Sequence, residues 1–327
     1  MTIGVIIPIR DAESLLDACL GAVQAQTRRA DEILLVVAPS TDASLELARR
    51  LAGGSVRVLE NPAGDRGSAI NVALGATRAD VVAMVDAQAR IAPDYLEAAM
   101  TAMDRHQADV VGGPMRPLGR SAVGRAMAAA LQSPFGVGDS QFHFSGEARE
   151  VESVYLGVYR AMVFGRVGHY NPALLRTEDD DMNARIREAG MRIWLDPAIR
   201  STYLCRDSLT GAWRQYFGYG YWKVALATAR PGAIRMRHLV PAAFVIGLLA
   251  AAVISLIWWP PALPLLLLLY FLGGWIAALK VPGNGVLVRL LFPIVTLTMH
   301  LAYGVGTLQG VLVWPRLRSL VREGAGK

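Results

Sequence analysis

Val81-Val-Ala-Met-Val-Asp-Ala-Gln88 is an apolar run that stops on a carboxylate, and its reading decides the fold. Five apolar residues bounded by polar ones suit a strand buried on both faces, as in a parallel sheet. Asp86-Ala-Gln88 then sits at a strand end, where a carboxylate suits a hard divalent cation holding a diphosphate. The same residues also read as a turn, since Asp is common after strands. Outward from this run the pattern repeats. Ile3-Gly-Val-Ile-Ile-Pro8 reads as a strand, residues 14–26 as a helix, 32–38 as a strand and 43–51 as a helix. A strand at 56–59 and a helix at 67–76 lead back to Val81. A helix over 93–106 and a strand near 110–113 follow; residues 119–150 read as a short helix with mobile loop. Strands alternating with helices predict an α/β fold with a parallel sheet covered on both faces. Ligands bind such sheets beyond the carboxyl ends of the strands. Arg10, Asp11, Glu13, Asp42, Asn61, Asp65, Arg66 and Asp86 form a polar rim there.

A second stretch points to chemistry. Arg176-Thr-Glu-Asp-Asp-Asp-Met-Asn-Ala-Arg-Ile-Arg187 places four carboxylates, Glu178 to Asp181, after Thr177. Met182, Ile186 and Ala189 recur at helical spacing. Thr177 is the expected N-cap, with Asp180 three residues on in a capping-box relation. Acids at a helix N-terminus suit the dipole, and one or two would do so. Four adjacent ones repel, and a cluster that costly marks a site as readily as it decorates a helix.

Composition divides the chain. Its 327 residues are 53% hydrophobic with mean hydropathy +0.34, and the excess lies beyond residue 239. The net charge of +6 gathers beside the apolar runs, which suits anionic lipid and positive-inside topology better than nucleic acid. Cys19 and Cys205 make no disulfide framework, which fits a reducing cytosolic face. The apolar run at 3–8 is too short for a signal peptide, so the first part is expected to stay cytoplasmic.

Taken together, several weak motifs fall in a telling order. Pro8-Ile-Arg-Asp-Ala-Glu13, Ser40-Thr-Asp42, Gly67, Asn71, Asp86-Ala-Gln88, Thr177-Glu-Asp179 and Gln215-Tyr-Phe-Gly-Tyr219 resemble family 2 glycosyltransferases, inverting enzymes of the GT-A fold. Val154-Tyr-Leu-Gly-Val-Tyr-Arg160, Ile193-Trp-Leu-Asp-Pro197 and Arg214-Gln-Tyr-Phe-Gly-Tyr-Gly-Tyr-Trp-Lys223 resemble the bacterial succinoglycan-type branch. The likeness covers roughly residues 3–223. It implies nucleotide contacts at Pro8, Arg10, Glu13, Asp42, Gly67, Asn71 and Asp86. It implies Asp179 as general base with Glu178 beside it, and Mg2+ or Mn2+ held by Asp86 and Gln88. An acceptor or diphosphate clamp would come from Arg206, Arg214, Gln215 and Tyr216. Inversion needs one base for the acceptor hydroxyl and a cation for the departing diphosphate, not the paired acids of a retaining glycosidase. Three positions depart from the pattern: Ala38 and Gln88 replace acids, and Gly218 replaces an arginine whose charge Arg206, Arg214 or Lys223 would supply.

The remainder reads as membrane. A basic collar, Arg230-Pro-Gly-Ala-Ile-Arg-Met-Arg-His238, precedes apolar runs at 239–259, 262–279 and 286–314, long enough to span. A single third span would place Arg316, Arg318 and Arg322 outside, against the positive-inside rule; Gly304, Gly306 and Gly310 would let the stretch break into a re-entrant or hairpin pair, and its topology stays open. The aromatic run Tyr216 to Trp222 reads both as an interfacial belt and as an acceptor platform. The expected organisation is a cytoplasmic GT-A domain at 1–229 and a membrane part at 230–327. The expected protein is a multi-pass hexosyltransferase of a bacterial inner membrane. It would move sugar from a nucleotide-sugar, a UDP-sugar by resemblance, to a polyprenyl-diphosphate-linked saccharide in exopolysaccharide or envelope glycan synthesis. Transfer to polyprenyl phosphate itself, and a non-catalytic GT-A scaffold, are the alternatives. Donor sugar, linkage and oligomeric state stay open.

Overall fold

Residues 1–139 and 146–325 are described by a computed structural model, with the backbone alone at 322–325. The chain begins β1 (Ile3–Ile9), α1 (Glu13–Gln24), β2 (Glu32–Val37), α2 (Ser44–Leu51), β3 (Val56–Glu60) and α3 (Arg66–Ala76). Next come β4 (Val81–Met84), β5 (Ala89–Ile91), α4 (Tyr95–Arg105), β6 (Val110–Gly113), β7 (Met115–Leu118), α5 (Ala122–Leu131) and α6 (Pro134–Val137). β8 (Arg149–Glu150), β9 (Tyr155–Arg160), α7 (Met162–Val167), α8 (Glu178–Glu188), β10 (Ile193–Leu195) and β11 (Ser201–Leu204) follow. Five helices close the chain: α9 (Leu209–Ala229), α10 (Val240–Ile257), α11 (Ala262–Leu279), α12 (Val286–Leu312) and α13 (Trp314–Ala325). They form two compact units, Met1–Arg116 with Gln141–Tyr203, and Pro117–Ser140 with Leu204–Lys327.

The first unit is built on an eight-stranded sheet in the order β3-β2-β1-β4-β9-β6-β10-β8. β1 pairs in parallel with β2 and with β4, with Ile6 opposite Leu34 and Met84. Alternation explains why these strands are apolar throughout. Ile3, Val5, Ile7 and Ile9 face one core with Leu16, Leu20 and Leu96, while Ile6, Leu34 and Val36 face another with Ile70, Met182 and Ile186. Both faces are covered by helices, so no position on a central strand can be polar. The sheet is mostly parallel, as expected, with two antiparallel members: β9 runs antiparallel between β4 and β6, and β8 is an antiparallel edge. Nothing in a short apolar strand encodes its direction, and Tyr155-Leu-Gly-Val-Tyr-Arg160 reads alike either way. β5 pairs antiparallel with Ser201–Tyr203 of β11.

In the second unit α10, α11 and α12 are long and apolar enough to cross a membrane. The third apolar stretch is one helix of 27 residues, not a hairpin. Its glycines are contact points instead of breaks. A Cβ on Gly304 would lie 2.3 Å from the Pro241 carbonyl oxygen, and one on Gly306 would lie 2.2 Å from that of Phe217. On α9, a Cβ at Gly220 would lie 2.0 Å from the Tyr303 carbonyl oxygen. Small residues let helix backbones approach this closely in apolar surroundings. That seam is why α9 groups with the apolar helices. Part of the loop expected within 119–150 falls at 140–145, outside the described residues.

Candidate active site

The carboxyl ends of β1 and β2 are tied together by their own polar residues. The Glu13 backbone N–H donates to Asp42 Oδ2 (3.0 Å), and the Ala43 N–H donates to Glu13 Oε2 (3.1 Å). Asp42 Oδ1 also accepts from the Ser44 N–H (3.1 Å) and hydroxyl (2.5 Å). The Ser44 hydroxyl, followed by the burial that opposes it and the backbone N–H groups, holds the Asp42 carboxyl below the usual range. Asp11 sits in the left-handed region, φ 47°, and its Oδ1 accepts from the Thr41 N–H at 2.7 Å. Asp and Asn tolerate that conformation through such local bonds. Glu13 and Asp42 thus brace the loop that a nucleotide would meet, while Arg10 stands exposed and donates to the Gly64 carbonyl (3.3 Å). Pro8 lies in β1 beyond its last pair with β4.

At the end of β4 the site acquires its charge. Arg66, the first residue of α3, donates from Nε to Asp86 Oδ1 (3.1 Å) and from Nη1 to Glu178 Oε1 (3.3 Å). One guanidinium therefore bridges a strand end to the first residue of α8. The four acids separate because a helix turns about 100° per residue. Glu178 points inward, 6% exposed. Asp179 is exposed, and its Oδ1 accepts from the Asp180 N–H (2.9 Å). Asp181 is buried against Arg185 (2.9 Å), which also donates to the carbonyls of Val167 and His169. Thr177 occupies the N-cap position but makes no side-chain capping bond, so the expected capping box is absent. Burial pushes the Glu178 carboxyl up, against the pull of Arg66. Its Oε2 is buried with no partner, which is costly for a carboxylate.

Two further polar groups complete this half. The Tyr155 hydroxyl is buried without a partner, and burial followed by the nearby Asp86 charge keeps it protonated. Asn71 is half-buried and tied to the Tyr170 backbone: its side chain donates to the Tyr170 carbonyl (2.8 Å) and accepts from the Tyr170 N–H (2.9 Å). Gly67 lies where α3 meets α8: a Cβ there would make ordinary contacts, 3.6 Å from that of Tyr170 and 3.7 Å from that of Glu178. Among the described residues no group of three His, Cys, Asp or Glu could hold a metal ion. Asp86 and half-buried Gln88 offer two donors, which fits a cation carried largely by a diphosphate and water and not a resident one. Arg206, Arg214, Gln215 and Tyr216 belong to the second unit. There Arg206 and Arg214 are exposed, Gln215 Nε2 donates to the Tyr219 hydroxyl (2.8 Å), and Tyr216 meets Tyr219 edge-on. Sequence reasoning placed Arg66 on the rim without a role and passed over Tyr155. Only the pairing of α3 with α8 reveals the first, and no local pattern signals the second.

This arrangement has a known class. Residues 4–130 match the family described as Glycosyl transferase family 2, and the chain is a glycosyltransferase carrying a family 2 domain of GT-A fold. The chain is similar to the succinoglycan biosynthesis protein ExoA of Rhizobium meliloti (strain 1021). It is 28% identical over 318 residues, covering 92% of each chain. Glycosyltransferase GlyA of Streptococcus pneumoniae serotype 4 is 32% identical over 113 residues, 34% of this chain and 16% of that protein. Two solved structures share the fold. GalNAc-T7 with UDP, GalNAc and Mn2+ matches with TM-score 0.50 and 14% identity over 71% of this chain and 51% of its own. TarS of S. aureus matches with TM-score 0.50 and 18% identity over 98% and 55%. The chain spans about half the length of each.

Proposed function

We propose that the chain is a membrane-anchored inverting enzyme that moves a sugar from a UDP-sugar to a polyprenyl-diphosphate-linked saccharide. The observation that carries this reading is exposed Asp179 beside the Asp86–Arg66–Glu178 bridge, at the carboxyl ends of the strands. Asp179 takes the proton of the acceptor hydroxyl as that oxygen attacks the anomeric carbon from the face opposite the diphosphate. A single carboxylate suffices, because inversion forms no covalent sugar–enzyme bond. Asp86 and Gln88 would hold Mg2+ or Mn2+, which when bound neutralises the departing diphosphate. Arg66 adds a fixed positive charge at the same end of the sheet. Arg214, Gln215, Tyr216 and Arg206 are proposed to engage the acceptor or its diphosphate. The divalent cation and UDP in the GalNAc-T7 structure support the donor chemistry. The succinoglycan relative and the three apolar helices support an envelope glycan acceptor at an inner membrane.

The test is to incubate the full chain with radiolabelled UDP-sugars and bacterial lipid extract, then to fractionate the product. Label in an organic-soluble lipid diphosphate saccharide is expected. Label in a polyprenyl monophosphate formed without any prior saccharide, or in water-soluble product alone, would refute the acceptor.

A further inference from the structure

The second unit has an unusual charge pattern. Between Asp207 and Glu323 there is no acidic residue, although ten lysines and arginines lie in that interval. Pairing within that interval therefore cannot neutralise them, and the acid that Arg237 meets, Asp139 (3.0 Å), lies outside it. α13 carries part of this excess in an ordered form. It starts at Trp314, two residues beyond the end of α12. Leu317 and Val321, four apart and so on one face, are 1% and 5% exposed, and the helix packs against α9. Arg316 and Arg318 are exposed on its two flanks, each one turn from an exposed apolar side chain, Leu320 and Trp314 respectively. A helix anchored by one apolar edge, offering arginines beside a Trp and a Leu, has the composition of an interfacial segment.

We infer that the outer face of α13 binds the anionic phospholipid surface of the bilayer. Three observations favour lipid over an acidic protein. The face continues directly from a helix long enough to span. Its apolar members, Trp314 and Leu320, accompany the arginines and suit the headgroup boundary. The acid-free interval also holds Lys280, at the end of α11, and Arg289, in the first turn of α12, so cations outnumber acids around the apolar helices. This inference does not rest on the catalytic reading.

The experiment uses the full chain in neutral detergent micelles, with a fluorophore on Ser319→Cys. Selective labelling is available because Cys19 and Cys205 are buried, and burial pushes both thiols up to about 12. Brominated phosphatidylglycerol or brominated phosphatidylcholine is titrated in, and quenching is read. Each arginine near an anionic surface contributes about fivefold in affinity. With two arginines, phosphatidylglycerol should therefore quench at a concentration about 25-fold lower than phosphatidylcholine. In an Arg316→Gln/Arg318→Gln background that advantage should vanish while the phosphatidylcholine midpoint stays put. High salt should reduce it in the parent protein. Equal midpoints for the two lipids, or an advantage that survives the double substitution, would overturn the inference. So would displacement by millimolar inorganic phosphate, which would mark a small-anion site. Shielding of the label from both lipids by dimerisation, seen by light scattering, would assign the face to a second copy instead.

Discussion

Replacing Arg66 by Met removes both hydrogen bonds that join β4 to α8 while keeping the apolar stem. Each bond has a carboxylate acceptor, at 3.1 Å on Asp86 and 3.3 Å on Glu178. Hydrogen bonds to charged groups contribute about 1.5–3 kcal/mol each. The Arg66 side chain is 34% exposed, so solvent recovers part of that, and a net loss of about 2–3 kcal/mol is expected. For a unit of this size the melting temperature should fall by about 4–12 °C. The pH dependence is the sharper part. Without Arg66, Glu178 loses the charge that opposes its desolvation, so its raised carboxyl moves further up. A raised carboxyl stabilises the fold below the unfolded value, 4.5, and that stability is lost as pH rises through the folded value. The gap between R66M and the parent should thus be widest above neutrality and shrink toward about pH 5. Thermal unfolding of the full chain in one detergent, at about pH 8 and about pH 5, measures it. An R66M/E178Q variant should recover part of the loss at the higher pH. A gap independent of pH, or a double variant no better than the single one, would refute the reasoning.

Three further outcomes follow from the same geometry. Asn71→Ala removes both reciprocal bonds to the Tyr170 backbone and should cost about 1–3 kcal/mol in unfolding free energy; an unchanged melting temperature would show that Asn71 matters only to ligand. Gly220→Val forces a Cβ to within 2.0 Å of the Tyr303 carbonyl oxygen, so α9 and α12 must part. That should cost at least 1–3 kcal/mol by overpacking, read as a lower melting temperature in detergent. Chelation by EDTA should leave the melting temperature of the donor-free protein unchanged, because the described residues form no cluster of three His, Cys, Asp or Glu for a resident ion, yet weaken UDP-sugar binding in calorimetry. A melting temperature lowered by EDTA before donor is added would refute a cation that arrives with the diphosphate.

The strands were legible because burial on both faces leaves them no polar position. Val81-Val-Ala-Met-Val85 and its neighbours can hardly be anything else. The acid cluster was legible as a place but not as a division of labour. Spacing along a helix says that four consecutive acids point four ways, and only packing says which way is inward. Glu178 found Arg66, 112 residues away in sequence, whereas Asp181 found Arg185 one turn along, within reach of a local rule. Gly304, Gly306 and Gly310 left the third apolar stretch undecided for a related reason. Glycine reads as a break when nothing is known to touch it, and here each is where another helix backbone arrives. The antiparallel β9 and the unpartnered Tyr155 hydroxyl left no local trace.

The central claim is that Asp179 is the base of an inverting transfer from a nucleotide-sugar. Its most direct test is nucleoside diphosphate release by the full chain in native-like lipid, across UDP-, GDP- and dTDP-sugars, beside Asp179→Asn. The account predicts turnover with a UDP-sugar, lower by about 10²–10⁴-fold in the variant, with an unchanged melting temperature because Asp179 is exposed. Undiminished turnover in Asp179→Asn would contradict it.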